Sequence, residues 1–376
     1  MAGLTVVIAG GGTGGHLYPG IAVAREILRR VPGASVTFAG TTRGLEARVV
    51  PREGFELDVI RSAGLKGKSL TSRLRGAALL PLGGLDAWRI LSRRRPDVVI
   101  GVGGYSSGPV VFLAALRGIA TMVLEQNAAP GLTNRLLARR VKAAAVTYES
   151  TLSYFGGRGF VAGNPVRAEF FGERDTSTFE RRSSKLGKVL VLGGSQGAHA
   201  INVAMVEAAP RFARAGLDLV HQTGTNDLAF VRDGYARAGL AARAESFVDL
   251  VAREMRSADL VVSRAGATTL AELAASGTPA VLVPFPAATD DHQRKNARVL
   301  ADAGAAVLLD QRELTGDTLA AAVEGLLGDA GRLQAMAAAM KKFARPDAAA
   351  VIVDRVIALS GIAQDAAGAG QTQRGR

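Results

Sequence analysis

Two stretches of this 376-residue chain carry the residue types of an anion site. Val6–Val7–Ile8–Ala9 runs into Gly10–Gly11–Gly12–Thr13–Gly14–Gly15, and Val189–Leu190–Val191–Leu192 runs into Gly193–Gly194–Ser195–Gln196–Gly197. A strand that ends in glycines and opens a helix lets backbone N–H groups approach a phosphate closely, and the helix N-terminus adds about half a positive charge. These runs are longer than tight strand-to-helix packing requires. His16 follows the first run directly, where an imidazole can take a proton near neutral pH; the alternative is a histidine that only stabilises the turn. The four histidines, His16, His199, His221 and His292, lack metal-binding spacing, and cysteine is absent, so no metal site is expected. His221 lies within an apolar strand and reads as structural. Gly10, Gly12 and Gly15 match G-x-G-x-x-G, but the next strand ends Ala39–Gly40–Thr41 without the acid that holds a dinucleotide ribose. No G-x-x-x-x-G-K-[ST] occurs, so NAD and P-loop chemistry are both disfavoured.

The elements that must position these residues follow one pattern, strand, glycine turn, helix. Apolar β-rich runs appear at Leu4–Ala9, Ser35–Ala39, Asp97–Val102, Ala120–Leu124 and Ala143–Thr147. After Asn164–Pro165 the pattern restarts, at Lys188–Leu192, Leu217–Gln222, Ala244–Val248, Asp259–Ser263, Ala280–Pro284 and near Val307–Leu309. Short continuous apolar strands alternating with helices predict parallel sheets covered on both faces. The fold class is therefore α/β, two Rossmann-like doubly wound parallel-sheet domains facing across a cleft. The expected divisions are 1–163, 164–346, a helix at 347–360 that packs back on the first domain, and a disordered Ala/Gly/Gln-rich tail at 361–376. Phe171–Lys185 is polar and reads as a loop.

The net charge of +13 is lopsided, with 21 Lys and Arg against 9 Asp and Glu in residues 1–163, and 25 against 24 in the rest. One half is thus expected to face an anionic partner. No signal peptide and no run of about 18 uncharged apolar residues is read, and the lack of cysteine fits a cytoplasmic protein. Within Leu65–Arg95, Lys66, Lys68, Arg73, Arg75, Arg89, Arg93, Arg94 and Arg95 bracket Leu79, Leu80, Leu82, Leu85, Trp88, Ile90 and Leu91. Apolar and aromatic residues among cations suit an anionic lipid surface; the alternative is a core helix with a basic rim. Pro81 and Gly83–Gly84 are expected to break any single long helix. Nucleic acid is a poorer fit, with one aromatic in this stretch and no nucleic-acid motif.

Several blocks taken in order resemble the MurG family of bacterial N-acetylglucosaminyltransferases. They are Gly11–His16 with Pro19–Gly20, Gly103–Pro109, Glu125–Gln126–Asn127 with Gly131–Asn134, Gly163–Arg167, Gly193–Gly197, His221–Gly224 and Ser263–Glu272. They span nearly the whole chain up to about Ala306. The resemblance implies an inverting, metal-independent GT-B enzyme without a cofactor, working in peptidoglycan synthesis. It would move GlcNAc from UDP-GlcNAc to the C4 hydroxyl of the muramoyl sugar of lipid I, giving lipid II, at the cytoplasmic face of the plasma membrane. Other cell-wall synthesis proteins are further expected partners. For the donor it implies Ser195, Gln196, Arg167, the backbone of Val248 at the uracil, Ala267, Thr268, Thr269 and Leu270 at the diphosphate, Glu272 at the ribose and Gln293 at the sugar. Thr13, Gly14, Gly15 and Asn127 share that site, and Gly12, Thr13, Gly14 and Tyr105 line the acceptor side. His16 is the expected general base, with Glu125 second. The chain departs from the family in having His292–Gln293 where two glutamines are expected, after an atypical Ala287–Asp291 loop. A UDP-GlcNAc 2-epimerase of related fold, an NAD-linked oxidoreductase and a membrane-bound scaffold with a dead nucleotide site are the competing readings.

Overall fold

The computed structural model describes residues 3–42, 44–62, 70–172, 186–194 and 197–361, with the backbone alone at 70–80 and Thr289. Most of the expected Phe171–Lys185 loop and nearly all of the expected tail lie outside the described residues, as do Lys66, Lys68, Ser195 and Gln196.

The first sheet is parallel and seven-stranded: β1 (Thr5–Gly10), β2 (Ser35–Gly40), β3 (Glu56–Val59), β4 (Val98–Gly103), β5 (Ala120–Glu125), β6 (Ala143–Val146) and β7 (Gly159–Val161), in the order β3-β2-β1-β4-β5-β6-β7. The second is parallel and six-stranded: β8 (Lys188–Leu192), β9 (Asp218–Gln222), β10 (Ala242–Glu245), β11 (Leu260–Ser263), β12 (Ala280–Leu282) and β13 (Ala306–Leu308), in the order β10-β9-β8-β11-β12-β13. The helices that cover the first sheet begin with α1 (Gly14–Arg30), α2 (Glu46–Arg52), α3 (Leu70–Arg94), α4 (Ser107–Leu116) and α5 (Leu132–Leu137). Those of the second half are α6 (His199–Ala215), α7 (Leu228–Ala238), α8 (Val251–Ser257), α9 (Ala267–Ser276), α10 (His292–Asp302), α11 (Gly316–Leu327), α12 (Ala330–Lys341) and α13 (Ala348–Ser360).

Because each central strand is apolar throughout, each sheet has a core on both faces. Val6, Ile8 and Ile100 pack toward α1, whereas Val7, Val99 and Val123 pack toward α3 and α4. Sheet two repeats this, with Val189 and Val191 on the α6 side and Leu190 and Leu192 on the α9 side. In both sheets the order reverses beside the first strand, between β1 and β4 and between β8 and β11. Loops leaving the strands at such a reversal diverge and open a crevice. Both glycine turns follow the strand at that point.

The C-terminal helix α13 buries Ile352, Val353 and Val356 in the core beside β1 and α1. Arg30 of α1 donates to the Ala350 carbonyl (3.1 Å) and pairs with Asp354 (2.6 Å). The chain leaves the first sheet and returns to it at one place: a Cβ on Gly163 (φ 84°) would lie 2.5 Å from the Cβ of Arg345.

Three expectations are corrected. Helix α3 is continuous over 25 residues and runs through Pro81. Proline forfeits one helix hydrogen bond, and the glycine at 83 serves a packing role there, since a Cβ would lie 2.6 Å from the Arg61 carbonyl. Ile90 and Leu91 belong to the core, 4% and 0% exposed, not to a lipid face. Arg93 and Arg94 bind the Asp58 carboxylate of β3 at 2.5 and 2.8 Å, so they stabilise the domain rather than a lipid contact.

Candidate functional site

On the first domain, His16 sits in the first turn of α1, directly beneath the end of β4. Its ring lies so close to Gly103 that a Cβ there would be 2.8 Å from the imidazole. The Thr13 hydroxyl lies 3.4 Å from Nδ1. Burial pushes the imidazole below its ordinary value; the Gly11 backbone opposes this, and the nearby His292 adds to it. A neutral imidazole is the form that can take a proton. Thr13, Gly14 and Gly15 open α1, Gly12 is exposed, and Tyr105, at the start of α4, is 51% exposed on the same rim.

Glu125, the second candidate base, has another role. Its Oε1 accepts from the backbone and side-chain nitrogens of Asn127 (3.0 and 3.1 Å), and its Oε2 from Gly131 N (3.0 Å) and Asn134 Nδ2 (2.8 Å). Four bonds fill the acceptor positions of a carboxylate. Burial raises the carboxyl above its usual range although these bonds oppose it. Glu125 therefore organises the Glu125–Asn134 loop and leaves no oxygen for a substrate hydroxyl.

On the second domain, α9 begins at Ala267, with Thr268 and Thr269 in its first turn and the Leu270 side chain buried in the core. Leu270 can thus reach a ligand only through its backbone. Glu272 lies further along α9. Burial pushes its carboxyl up to about 7, with Arg167 lowering it and Glu169 raising it. Arg167 pairs with Glu169 (2.8 Å) and stacks over Phe170 (5.2 Å). The Val248 N–H donates to Gln222 Oε1 (3.1 Å), so a base edge would have to meet its carbonyl. Ser195 and Gln196 fall outside the described residues, but Gly194 and Gly197 on either side both take left-handed φ (75° and 77°) and are joined by a 3.2 Å bond from Gly197 N to the Gly194 carbonyl. Gln293 accepts from Phe285 N (2.9 Å), which leaves its NH₂ for a ligand. Asp290 and Asp291, before α10, hold φ of 56° and 54°, a conformation non-glycine residues adopt infrequently.

The two halves meet over this crevice. Thr268 Oγ1 donates to the Gly15 carbonyl (3.2 Å), so the N-termini of α9 and α1 face the same space. Asn296, one turn beyond His292 on α10, donates to Asn127 Oδ1 (3.0 Å) and accepts from Ala128 N (2.8 Å). Arg135 reaches Asp290 at 3.3 Å. Sequence reasoning missed Asn296 and also Glu46, whose carboxylate accepts from Gly12 N at 2.7 Å. The partners of both are remote in the chain, so no local pattern marks them.

A second surface lies on the first domain. Leu82, Leu85 and Trp88 of α3 are exposed, Arg89 is exposed beside them, and Arg117 stacks over Trp88 at 4.7 Å. The structure extends this face beyond α3, through Phe112 and Leu116 of α4 to Leu132 and Leu136 of α5, with Arg140 over Phe112. Arg73, Arg75 and Leu79 lie where only the backbone is described.

Residues 6–146 match the glycosyltransferase family 28 N-terminal domain and residues 188–352 the family's C-terminal domain. A UDP-N-acetylglucosamine–N-acetylmuramyl-(pentapeptide) pyrophosphoryl-undecaprenol N-acetylglucosamine transferase of Anaeromyxobacter sp. (strain K) is 48% identical over 356 residues, 93% of this chain and 92% of the relative. A crystal structure of MurG from Acinetobacter baumannii is 30% identical, with a TM-score of 0.78 over 94% of this chain and 99% of that one. A putative UDP-N-acetylglucosamine 2-epimerase from Listeria monocytogenes superposes with a TM-score of 0.67 over 96% and 98% of the two chains, but at 13% identity it shares the fold alone. Sequence and architecture together place this chain in glycosyltransferase family 28, among the MurG transferases.

Proposed function

We infer that the chain is an inverting N-acetylglucosaminyltransferase that moves GlcNAc from UDP-GlcNAc to the C4 hydroxyl of MurNAc-pentapeptide-pyrophosphoryl-undecaprenol. The observation that carries this reading, besides the identity to the named transferases, is that two helix N-termini converge on one crevice beside His16. In a single displacement, the acceptor oxygen bonds to the anomeric carbon as the bond to the UDP oxygen breaks, and His16 takes the hydroxyl proton. The α9 N-terminus and Arg167 are suited to the charge that develops on the departing diphosphate. Glu272 accepts from the ribose hydroxyls, the Val248 carbonyl meets the uracil, and the Gln293 NH₂ and Asn127 meet the sugar. Ser195 and Gln196 complete the diphosphate site. On the facing side, Gly12, Thr13, Gly14 and Tyr105 receive the acceptor, whose pyrophosphate suits the N-terminus of α1.

The exposed Leu82–Trp88 face with its arginines is suited to an anionic bilayer. Among the described residues no helix is long and apolar enough to cross a membrane, and a peripheral position at the cytoplasmic face would bring the crevice to a lipid-borne acceptor. The direct test incubates purified protein with radiolabelled UDP-GlcNAc and lipid I in detergent, with and without EDTA. Label should enter the lipid fraction in both. Recovery of a different hexosamine, with no label in the lipid, would instead identify an epimerase.

A further inference from the structure

The turn Gly10–Gly12 reads in sequence as a phosphate cradle, yet the structure seats a carboxylate of the protein's own in it. Glu46, at the start of α2 and 1% exposed, accepts from Gly12 N (2.7 Å), Thr41 N (2.9 Å) and Thr41 Oγ1 (2.8 Å). The Thr41 hydroxyl accepts in turn from Gly44 N at 3.2 Å. Space for this carboxylate is made by three glycines: a Cβ on Gly11, Gly40 or Gly44 would lie 2.5, 2.6 or 2.1 Å from Glu46 atoms. Burial alone would raise the carboxyl, but the bonds from Gly12, Thr41 and its own amide hold it below the usual range, so it stays ionised. The Gly12 N–H is thus unavailable to a phosphate.

What this arrangement fixes is the Gly11 peptide. Gly11 N donates to the Gly103 carbonyl (3.3 Å), and the Gly11 carbonyl lies against Gly104, where a Cβ would be 2.7 Å away. Gly103 in turn packs on the His16 ring, where a Cβ would be 2.8 Å from the imidazole. We propose that Glu46 is a positioning residue for the transfer: by gripping Gly12 from inside the turn it fixes the Gly11 peptide on Gly103, and Gly103, packed against the His16 imidazole, sets where that ring stands in the crevice. This inference rests on the reading of His16 as the base. It also leaves the N–H groups of Thr13–Gly15 that open α1, and not that of Gly12, for the acceptor pyrophosphate.

Glu46→Gln keeps the shape but removes the negative charge and puts an NH₂ in place of one acceptor, opposite either Gly12 N or the Thr41 N–H and hydroxyl. The turn should shift, kcat should fall by about 10- to 100-fold, and the donor KM, set mainly on the other domain, should stay within about 2-fold. Proton NMR titration of the four imidazoles, with His16 assigned from His16→Ala, should show the His16 titration moved in E46Q, because the turn that seats its ring is displaced and a nearby negative charge is lost. On the H16A background, E46Q should lower the residual rate by less than about 2-fold, since both act through one group. UDP-GlcNAc binding confirms that the variant is folded; if E46Q does not fold, Thr41→Val, which removes one donor to the carboxylate, should move kcat and the His16 titration the same way by less. Unchanged kcat and an unmoved His16 titration in the folded variant, with H16A impaired, would overturn the role of Glu46 alone. Full activity in H16A would remove the base assignment and this proposal with it.

Discussion

The chemistry assigned to His16 makes a prediction that separates it from its neighbours. His16→Ala should cut kcat by about 10²- to 10⁴-fold, the usual contribution of a positioned base, with little change in donor KM. Glu125→Gln should behave differently. Its four bonds hold a loop, so the variant should lose melting temperature as well as rate. Since His16 is held below the ordinary imidazole value, the acid limb of kcat/KM should fall below about pH 6.5. The sign follows from the base being the neutral form, so activity is present above that pKa and lost as pH falls through it. Glu272 gives a second pH effect, of the same sign but on donor binding. Its carboxyl titrates at about 7 when unliganded, and the ionised form is the stronger acceptor for ribose hydroxyls. Donor KM should therefore decrease as pH rises through about 7, and Glu272→Gln should flatten that dependence while raising KM above pH 7; a KM independent of pH in the native enzyme would refute the ribose role. His16, Glu272 and the glycine turns were legible in sequence because each lies inside a contiguous strand–turn–helix block. Glu46 was not. It lies five residues beyond Thr41, and what makes it matter is a bond to Gly12, 34 residues away.

At the scale of elements, the central strands were readable because parallel strands buried on both faces are apolar at every position. Strands β3 and β7 were missed for the complementary reason. Glu56–Leu57–Asp58–Val59 carries two acids at a sheet edge, one of them buried only because Arg93 and Arg94 neutralise it, and Gly159–Val161 has three residues, all only partly buried. Helix α3 shows tertiary context overriding local propensity, since Pro81 and three glycines lie within one continuous element. That continuity matters for the surface it presents. Leu82, Leu85 and Trp88 recur at spacings of three, which places them on one side of the helix, and all three are exposed. If this side meets lipid, Leu85→Ser with Trp88→Ser should weaken binding to vesicles containing phosphatidylglycerol by about 10²- to 10⁴-fold, given ~1.5–3 kcal/mol for each fully buried apolar side chain. Turnover of a short-chain, water-soluble acceptor should not change. Binding to neutral vesicles should be weaker throughout and insensitive to salt, whereas binding to anionic ones should fall as salt rises. Vesicle binding unaltered by the double substitution would move the membrane contact off this helix.

At the scale of the molecule, the two domains are joined by contacts of very different worth. The hinge is a pair of chain crossings at Gly163 and Arg345, and α13 anchors the C-terminal end on the first domain. Across the crevice, Arg135–Asp290 is a partly exposed ion pair at 3.3 Å and should contribute about 0–1 kcal/mol. Asn296 is fully buried and ties together three backbone or amide groups: Ala128 N, Asn127 Oδ1 and the Ala265 carbonyl (3.4 Å). Leaving buried polar partners unsatisfied costs about 1–3 kcal/mol each, so Asn296, not the ion pair, should hold the cleft at its present width. Asn127 connects this latch to the substrate, because its Oδ1 faces Asn296 while its Nδ2 bonds Glu125 (3.1 Å). A donor sugar that takes up the Asn127 amide must therefore compete with the latch, which couples donor binding to domain movement. Asn296→Ala should raise the radius of gyration seen by small-angle scattering without ligand, and lower the melting temperature. It should also raise donor KM more than it lowers kcat, because donor binding would then have to order the domains itself. Arg135→Ala should do none of these measurably. If scattering and melting were the same in Asn296→Ala as in the native protein, the domain arrangement would have to be set by the hinge, α13 and the Thr268–Gly15 bond, and the cleft would not be held by a bond the donor sugar can exchange.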